Sequence, residues 1–250
     1  MPEEINRRII DHISDINFTL TEHARRYLIN EGIKGETIIK TGSCMEEVLN
    51  FYMPKIQSSK VLNKLSLKKN EYFLISAHRE ENVDKKSRLE ALLITLNKIC
   101  NKYKYPIIFS VHPRTRKRIN SIKSVKLDKR INFSKPFGFI DYMALQMNAK
   151  CTLSDSGTIT EESSLLNFPS VMLRQAHERP EGMDEASVIM CDINTNAILE
   201  SIKLATKHSN MKNFDIRPVS DYQGGFVSLK IIRLITSYTS YIKRTVWRKY

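Results

Sequence analysis

The segment Ser154-Asp155-Ser156-Gly157-Thr158 decides the fold class, because it joins a predicted strand, Lys150 to Ser154, directly to a predicted helix, Ile159 to Leu166. A strand that turns into a helix in this way is the repeating unit of parallel α/β sheets. Thr158 and Glu161 also match the T-x-x-E pattern of a capping box, which predicts that Thr158 caps the helix. The segment therefore predicts a strand end that faces the backbone N–H groups of a helix N-terminus.

The same alternation of short apolar runs and amphipathic stretches continues on both sides of this segment. The predicted strands are Tyr72–Ser76, Pro106–Val111, Ile131–Ser134, Lys150–Ser154, Ser170–Leu173 and Ser187–Cys191. The predicted helices are Arg88–Lys104, Arg116–Ser124, Ile140–Asn148, Ile159–Leu166 and Thr195–His208. Strands separated by helices in this regular way predict a doubly wound α/β domain with a parallel sheet.

The sequence outside this domain has a different pattern. Its first part contains a predicted helix, strand and helix, which are too few elements to close a sheet: Ile5–Ser14, Ile16–Leu20 and Glu22–Glu31. Gly225 to Arg244 predicts a long helix whose apolar side consists of Val227, Ile231, Leu234, Ile235, Tyr238 and Ile242. An apolar side of this size must pack against another surface. We therefore predict three segments, at residues 1–55, 56–224 and 225–250.

The composition limits the function classes that the chain fits. Its formal net charge of +13, from 40 Lys and Arg against 27 Asp and Glu, suits nucleic acid, an anionic membrane surface or a phosphorylated small molecule. No motif of interleaved aromatic and basic residues accompanies this charge, so we predict no nucleic-acid partner. No apolar stretch approaches the roughly 18 residues of a membrane span and no secretory signal is found, which predicts a cytoplasmic protein without membrane insertion.

Residue spacing disfavours metal sites, disulfides and several enzyme classes. The four cysteines are far apart and form no zinc-ligand pattern with histidine: Cys44, Cys100, Cys151 and Cys191. The sequence also lacks G-x-S-x-G, H-E-x-x-H, G-x-x-x-x-G-K-[ST] and G-x-G-x-x-G. These absences exclude a hydrolase nucleophile elbow, a zinc protease, a P-loop kinase and a nicotinamide enzyme. We predict neither a metal nor a cofactor.

Polar residues follow four of the predicted strands. They begin at His78 and His112 after the first two strands, and at Asp155 and Arg174 after two later ones. Ligands of an open parallel sheet bind beyond the carboxyl ends of its strands, so we predict that these four polar segments face one crevice. His78 suits acid–base chemistry or phosphate contact because histidine titrates near neutral pH, or else it is structural.

Three further residues at this crevice suit a ligand, and each also has a structural interpretation. Gly157 lets the backbone approach an anion at the helix N-terminus, although strand-turn-helix units with glycine are common. Glu162 suits the two hydroxyls of a ribose, or else it complements the helix dipole. Arg179 suits a phosphate, or else it pairs with Glu178 or Glu181 at the surface.

Five motifs together resemble a known family. They are Pro2-Glu3-Glu4-Ile5-Asn6-Arg7, Thr41-Gly42, His78-Arg79-Glu80-Glu81-Asn82, Asp155-Ser156-Gly157 with Glu161-Glu162, and Glu178-Arg179-Pro180-Glu181. Their order and spacing resemble the non-hydrolysing UDP-N-acetylglucosamine 2-epimerase family. Three segments are most similar in sequence to the UDP-N-acetyl-L-fucosamine synthase branch: Ser76–Val83, His112–Arg118 and Ala176–Met183. That branch inverts the acetamido-bearing carbon of a 6-deoxy-L-talose derivative for surface polysaccharides such as capsule or O-antigen.

The resemblance implies a GT-B fold of two Rossmann domains, with UDP held mainly by the C-terminal domain. The implied UDP-sugar contacts are Ser156, Gly157, Thr158 and Arg179 for the diphosphate, Glu162 for the ribose hydroxyls and Tyr142 near the uracil. Glu3 matches an active-site carboxylate, and His78 matches a histidine that contacts the leaving group or assists proton transfer. Thr158 departs from a second glycine that is common at this position in the wider family.

The implied reaction is an isomerisation. A proton leaves the acetamido-bearing carbon, UDP is expelled to give a glycal, and UDP then adds back as a proton reaches the opposite face. Members begin well over a hundred residues before the Pro-Glu-Glu motif, which implies a complete C-terminal domain and a largely missing N-terminal one. A homodimer, or association through an exposed apolar face, is then expected, and the fragment is expected to be poorly active or inactive. Two alternatives stay open, a GT-B glycosyltransferase and a non-catalytic UDP-binding remnant.

Overall fold

The computed structural model describes residues 2–176, 179–208 and 217–249. The chain folds as two compact units. The small unit comprises Met1–Phe51 together with Val219–Tyr250, and the large unit comprises Tyr52–Pro218. The assignment of residues 1–55, 56–224 and 225–250 to parts of two Rossmann domains stays a prediction.

Strands and helices alternate through most of the described chain. The strands are β1 (Asn17–Thr19), β2 (Ile38–Lys40), β3 (Phe73–Ser76), β4 (Ile107–Ser110), β5 (Ile131–Ser134), β6 (Cys151–Ser154), β7 (Ser170–Leu173) and β8 (Ile189–Cys191). The helices are α1 (Pro2–Ile13), α2 (Glu22–Asn30), α3 (Met45–Gln57), α4 (Val61–Lys64), α5 (Glu80–Val83), α6 (Lys86–Tyr103), α7 (Pro113–Ser121), α8 (Phe139–Asn148), α9 (Ile159–Leu166), α10 (Pro180–Asp184), α11 (Thr195–His208) and α12 (Val227–Thr245). Short 3-10 helices lie at Gly35–Thr37 and Ser220–Tyr222.

The large unit is built on a parallel sheet with the strand order β5-β4-β3-β6-β7-β8. β3 pairs with β4 on one side and with β6 on the other, so that Ser76 lies level with both Ser110 and Ser154. The strand order therefore reverses between β3 and β6, as it does in doubly wound sheets. This topology confirms the predicted α/β fold with a parallel sheet. It places the switch point, where such sheets bind ligands, between the ends of β3 and β6.

Apolar side chains cover both faces of this sheet. All residues of β3, β4, β6 and β7 are buried, which is why these strands read as continuous apolar runs and not as alternating ones. On one face, α6 and α11 contribute Leu92, Leu96 and Ile198 to the main core. On the other face, Ile159 of α9 packs with Met172 of β7 in a second cluster. The sheet is thus held rigidly from both sides, and its strand ends are fixed relative to one another.

The observed elements differ from the predicted ones at boundaries and in short helices. α7 begins at Pro113 and not at Arg116, because proline suits the first helical turn and because the Arg114 N–H donates to His112 Nδ1 at 3.3 Å. α4, α5 and α10 contain only four or five residues each, which is too short for a helical period to show. α3 was not predicted, and it carries Pro54 in its interior, a residue that disfavours helix.

The small unit contains a two-stranded parallel sheet of β1 and β2. α2 packs on this sheet, where Leu28 and Ile38 are buried. Gly42 has a left-handed φ of +88°, and a Cβ at this position would lie 2.8 Å from the Gly224 Cα. Both the backbone conformation and this close approach require glycine at position 42.

Large apolar side chains are exposed on two helices of the small unit. They are Ile5, Ile9, Ile10 and Ile13 on α1, and Leu229, Ile232, Ile235 and Tyr241 on α12, and we call them together the apolar surface. On the predicted apolar side of α12, Val227 is buried and Ile235 is exposed, while the remaining residues are half-buried: Ile231, Leu234, Tyr238 and Ile242. None of the helices within the described ranges is long and apolar enough to span a bilayer.

Candidate functional site

The candidate site lies at the carboxyl end of the large sheet, on both sides of the switch point. His78 follows β3, Asp155 follows β6 and Arg174 follows β7. Because these strands are parallel and adjacent, their polar segments meet at the same edge of the sheet. The segment at His112, after β4, lies at the same edge. That the four segments form one ligand crevice stays a prediction.

Asp155 joins the polar segments to one another. Its carboxylate is only 2% exposed. It accepts hydrogen bonds at Oδ2 from the backbone N–H groups of His78 and Arg79, both at 2.9 Å, and from Asn82 Nδ2 at 3.1 Å. The Asn82 amide also donates to the Leu173 carbonyl at 3.1 Å, so that the segments after β3, β6 and β7 are linked. We assigned no role to Asp155 from the sequence, although a carboxylate directly after a buried strand signals one.

His78 is the titratable ring nearest to this network. The residue is exposed, yet burial of its ring lowers its pKa, because the charged imidazolium loses hydration. The negative charge of Asp155 opposes this shift, and the charge of His112 adds to it. An imidazole with a lowered pKa is uncharged at neutral pH, so one ring nitrogen can donate a hydrogen bond and the other can accept a proton or a hydrogen bond.

The loop Ser156-Gly157-Thr158 connects β6 to α9, and here the capping-box prediction is wrong. Thr158 occupies the N-cap position but has helical angles, φ −67° and ψ −17°, and its side chain makes no capping hydrogen bond. Its hydroxyl lies 2.9 Å from the Ser156 hydroxyl and also bonds to Glu162. A threonine whose backbone is already helical does not direct its hydroxyl at the N–H groups of the first turn.

Two guanidinium groups lie beside this loop. A Cβ placed on Gly157 would lie 3.4 Å from Arg179 Nε and 3.7 Å from Arg174 Nη1. Arg174 is buried, and Arg179 is half-buried. Arg179 Nη1 forms an ion pair with Glu161 Oε1 at 2.5 Å. The structural alternatives for Arg179 were Glu181 and Glu178, the second of which lies outside the described residues; the observed partner is Glu161. We assigned no role to Arg174 from the sequence.

Glu162 and Tyr142 lie close to each other and to the loop. Glu162 is buried, and Gln146 Nε2 donates to its Oε2 at 2.7 Å. Burial raises the pKa of Glu162, while hydrogen bonds from Gln146 and Thr158 oppose the shift. Burial also raises the pKa of Tyr142 to about 12, against hydrogen bonds with Ser76 and Ser154 at the strand ends. The structure thus brings together His78, Tyr142, Ser156, Gly157, Thr158, Glu162 and Arg179, seven of the predicted site residues.

The remaining predicted site residue, Glu3, belongs to the small unit. It is exposed on α1. Its catalytic role stays a prediction. No group of three or more His, Cys, Asp or Glu side chains among the described residues is arranged to hold a metal ion.

A family model described as UDP-N-acetylglucosamine 2-epimerase matches residues 1–236. The chain belongs to this family. The match confirms the family resemblance on which the site residues were predicted, and it extends through both units of the chain.

Family members with known structures have the same fold. The UDP-N-acetylglucosamine 2-epimerase of Rickettsia bellii is 51% identical, with a TM-score of 0.91 over 100% of this chain and 66% of its own. The Methanocaldococcus jannaschii enzyme, solved in complex with UDP-GlcNAc and UDP, is 32% identical, with a TM-score of 0.79 over 95% of this chain and 65% of its own. The enzyme of Methanococcus maripaludis is 33% identical over 93% of this chain. The chain spans 64% of the length of that relative.

The raised pKa of Glu162 predicts how the stability of this chain depends on pH. A carboxyl whose pKa rises on folding stabilises the folded state below its ordinary pKa of 4.5, and this contribution is lost as the pH rises through the raised value. At pH 7 the buried charge is therefore unfavourable. Glu162→Gln is expected to raise the midpoint of thermal unfolding at pH 7 by about 2–4 °C, which corresponds to about 1 kcal/mol.

Thermal unfolding followed by circular dichroism at pH 7 and pH 4.5 measures this effect, which should be smaller at the lower pH. Glu81→Gln, at an exposed position, is the matched control and should change the midpoint by less than about 1 °C. A lower midpoint for Glu162→Gln than for the wild type at pH 7 would show that the partners of the carboxylate outweigh its burial.

Proposed function

We propose that the crevice of the large unit binds the UDP part of a UDP-sugar, and that the chain is by descent a UDP-N-acetylhexosamine 2-epimerase. The observation that carries this proposal is the Ser156-Gly157-Thr158 loop, which has Arg179 and Arg174 beside Gly157 and the buried Glu162 bonded to Thr158. Guanidinium groups and the N-terminus of α9 favour a diphosphate at the loop. Family membership supports the epimerase over the glycosyltransferase alternative.

We assign the nucleoside to the position beside Glu162 and Tyr142. A buried carboxylate can accept hydrogen bonds from both hydroxyls of a ribose, and Gln146 holds Glu162 in place at 2.7 Å. Tyr142 lies beside Glu162 and offers an aromatic ring to a base. The relative from Methanocaldococcus jannaschii, whose structure contains UDP-GlcNAc and UDP, supports a UDP-sugar as the ligand class.

The proposed reaction breaks and remakes two bonds. A base removes the proton from the acetamido-bearing carbon, the bond between the anomeric carbon and UDP breaks, and a double bond forms between the two carbons. Re-addition of UDP and delivery of a proton to the opposite face complete the inversion. Neutral His78 suits a hydrogen bond to the departing diphosphate or the acceptance of a proton during the transfer, and Glu3 is the proposed catalytic carboxylate.

The substrate and the biological role are proposed more specifically from the sequence. Sequence similarity in three segments supports the UDP-N-acetyl-L-fucosamine synthase branch and a role in surface polysaccharide synthesis. The segments are Ser76–Val83, His112–Arg118 and Ala176–Met183. The chain corresponds to 64% of a relative's length. We propose that active-site groups in the remaining third of the family fold are needed for efficient turnover.

The apolar surface of the small unit is proposed to be an association surface. It exposes large aliphatic side chains on both α1 and α12, beside a sheet of only two parallel strands. Parallel sheets normally bury both faces, so further protein surface is expected to cover this unit. A homodimer is the proposed assembly, and sedimentation velocity of the 250-residue chain should detect it. A monomer at all protein concentrations would contradict this proposal.

Exchange of solvent deuterium into the sugar tests the proposed function. UDP-N-acetylglucosamine and, in a separate sample, UDP-2-acetamido-2,6-dideoxy-L-talose are incubated with the chain in deuterated buffer and analysed by NMR. We expect UDP to bind measurably and deuterium to enter only at the acetamido-bearing carbon, slowly. Robust exchange would refute the need for the remaining third of the family fold. Transfer of the sugar to an acceptor without exchange would indicate a glycosyltransferase. Absence of UDP binding would overturn the proposed site.

A further inference from the structure

We propose that Glu161 is a positioning residue, which holds Arg179 against the Ser156-Gly157-Thr158 loop so that the guanidinium is in place before a diphosphate arrives. This role rests on the proposed UDP site and adds a residue to it. The observation behind it is the ion pair between Glu161 Oε1 and Arg179 Nη1 at 2.5 Å.

The two partners differ in their exposure. The side chain of Glu161 is 5% exposed, whereas that of Arg179 is 22% exposed. The carboxylate is therefore the more buried member of the pair, and the guanidinium is the member that a ligand can reach more readily. A buried carboxylate has few alternative positions, since moving away from its cation would leave an uncompensated charge in the protein interior. Glu161 is thus a fixed anchor rather than a mobile competitor.

Because the guanidinium is rigid, its contact with Glu161 also affects where the group lies relative to the loop. The group is planar and rigid, and its five N–H donors have fixed directions. When Nη1 is held by Glu161, the rigid group keeps Nε near the loop, where it lies 3.4 Å from the site of a Cβ on Gly157. The ion pair therefore restricts the positions that Arg179 can adopt beside the proposed diphosphate position.

Without this anchor, Arg179 would have to be ordered by the ligand itself. An arginine side chain has several rotatable bonds, and ordering it costs conformational entropy on the order of 1.5–2 kcal/mol. The residue also precedes α10, a helix of only five residues, so its backbone has limited support on that side. Preorganisation by Glu161 removes this cost from ligand binding. The adjacent acidic residues of α9 then have different tasks, Glu161 toward Arg179 and Glu162 toward the ribose.

The ion pair between Glu161 and Arg179 could also have the opposite effect on UDP affinity. If Glu161 competed with the diphosphate for Arg179, its neutralisation would free the guanidinium and UDP would bind more tightly. If Glu161 positions Arg179, neutralisation weakens UDP binding. The sign of the change in UDP affinity therefore distinguishes the two roles.

The experiment measures UDP affinity by isothermal titration calorimetry for the wild type, Glu161→Gln, Arg179→Lys and the double variant. We expect Glu161→Gln to weaken UDP binding about 5–20-fold, because glutamine keeps the shape and loses the charge. Arg179→Lys lacks the planar fork, so adding Glu161→Gln to it should change affinity less than about twofold. Uridine, followed by ligand-detected NMR, should bind equally well to the wild type and Glu161→Gln, since it lacks the phosphates that Arg179 would contact.

A purely structural defect would weaken uridine and UDP alike, and it would persist in the Arg179→Lys background. Circular dichroism of each variant verifies that it is folded before the titrations. Equal or tighter UDP binding by Glu161→Gln, or equal losses for uridine and UDP, would overturn the positioning role while leaving the UDP site intact. Absence of UDP binding by the wild type would instead overturn the proposed function and this role with it.

Discussion

Asp155→Ala is expected to destabilise the large unit by about 2–4 kcal/mol, because hydrogen bonds to a charged acceptor are lost and buried donors are left unsatisfied. The carboxylate accepts three hydrogen bonds, from the backbone of His78 and Arg79 and from the Asn82 amide. Alanine leaves these donors without their acceptor in a site that is 2% exposed. Urea unfolding followed by circular dichroism measures the change in the free energy of unfolding.

Asp155→Asn is the matched control for this substitution. The amide keeps the size of the side chain and one carbonyl oxygen, which can take the place of Oδ2. Its NH₂ group, however, faces the His78 N–H that lies 3.1 Å from Oδ1 in the wild type. We therefore expect an intermediate loss of about 1–2 kcal/mol. A loss below about 1 kcal/mol for Asp155→Ala would mean that water replaces the carboxylate, and that the segment after β3 is held by other contacts.

Gly157→Ala is expected to weaken UDP binding at least tenfold and to change the free energy of unfolding by less than about 1 kcal/mol. The new methyl group would lie 3.4 Å from Arg179 Nε and 3.7 Å from Arg174 Nη1, where the guanidinium groups can shift slightly without unfolding the unit. The shift, together with the added bulk, would separate the guanidinium groups from the backbone N–H groups of the loop. A diphosphate needs both sets of donors at once.

Calorimetric titration with UDP and urea unfolding give the two quantities for Gly157→Ala. Gly35→Ala is a suitable control, because a Cβ there would only contact the Ile29 Cδ1 at 3.8 Å, and the residue belongs to the small unit. UDP affinity within twofold of the wild type for Gly157→Ala would place the diphosphate elsewhere. A large loss of stability would instead show that the loop itself cannot accept a side chain.

The sequence predicted those features that depend on local periodicity. The apolar face of α6 repeats at helical spacing, and the buried strands are continuous apolar runs. Both signals are local, so the strand–helix alternation and the parallel sheet followed from them. The position of the crevice followed in turn, since parallel strands place their carboxyl ends at one edge. The family resemblance supplied the roles of the residues at that edge.

Features that depend on contacts between distant residues could not be predicted in this way. The capping box at Thr158 was wrong, because Glu161 pairs with Arg179 instead of returning to the start of α9. A carboxylate directly after a buried strand signals a role for Asp155, but its partners, the backbone groups of the segment after another strand, are distant in sequence and could not be predicted. The position of Arg174 after a predicted strand placed its segment at the crevice, but its contact with the loop became visible only from its burial beside Gly157.

The hydrogen bonds of Asp155 also bear on the order in which the protein folds. The carboxylate and the His78 N–H are 77 residues apart in the chain, and β4 and β5 lie between them. Closing so long a loop is slow, because the entropy of the intervening chain must be lost before the contact forms. The segment after β3 therefore cannot take its final shape until β6 has paired with β3. During synthesis, a nascent chain therefore lacks the proposed UDP site until the ribosome has released the strand that ends at Ser154.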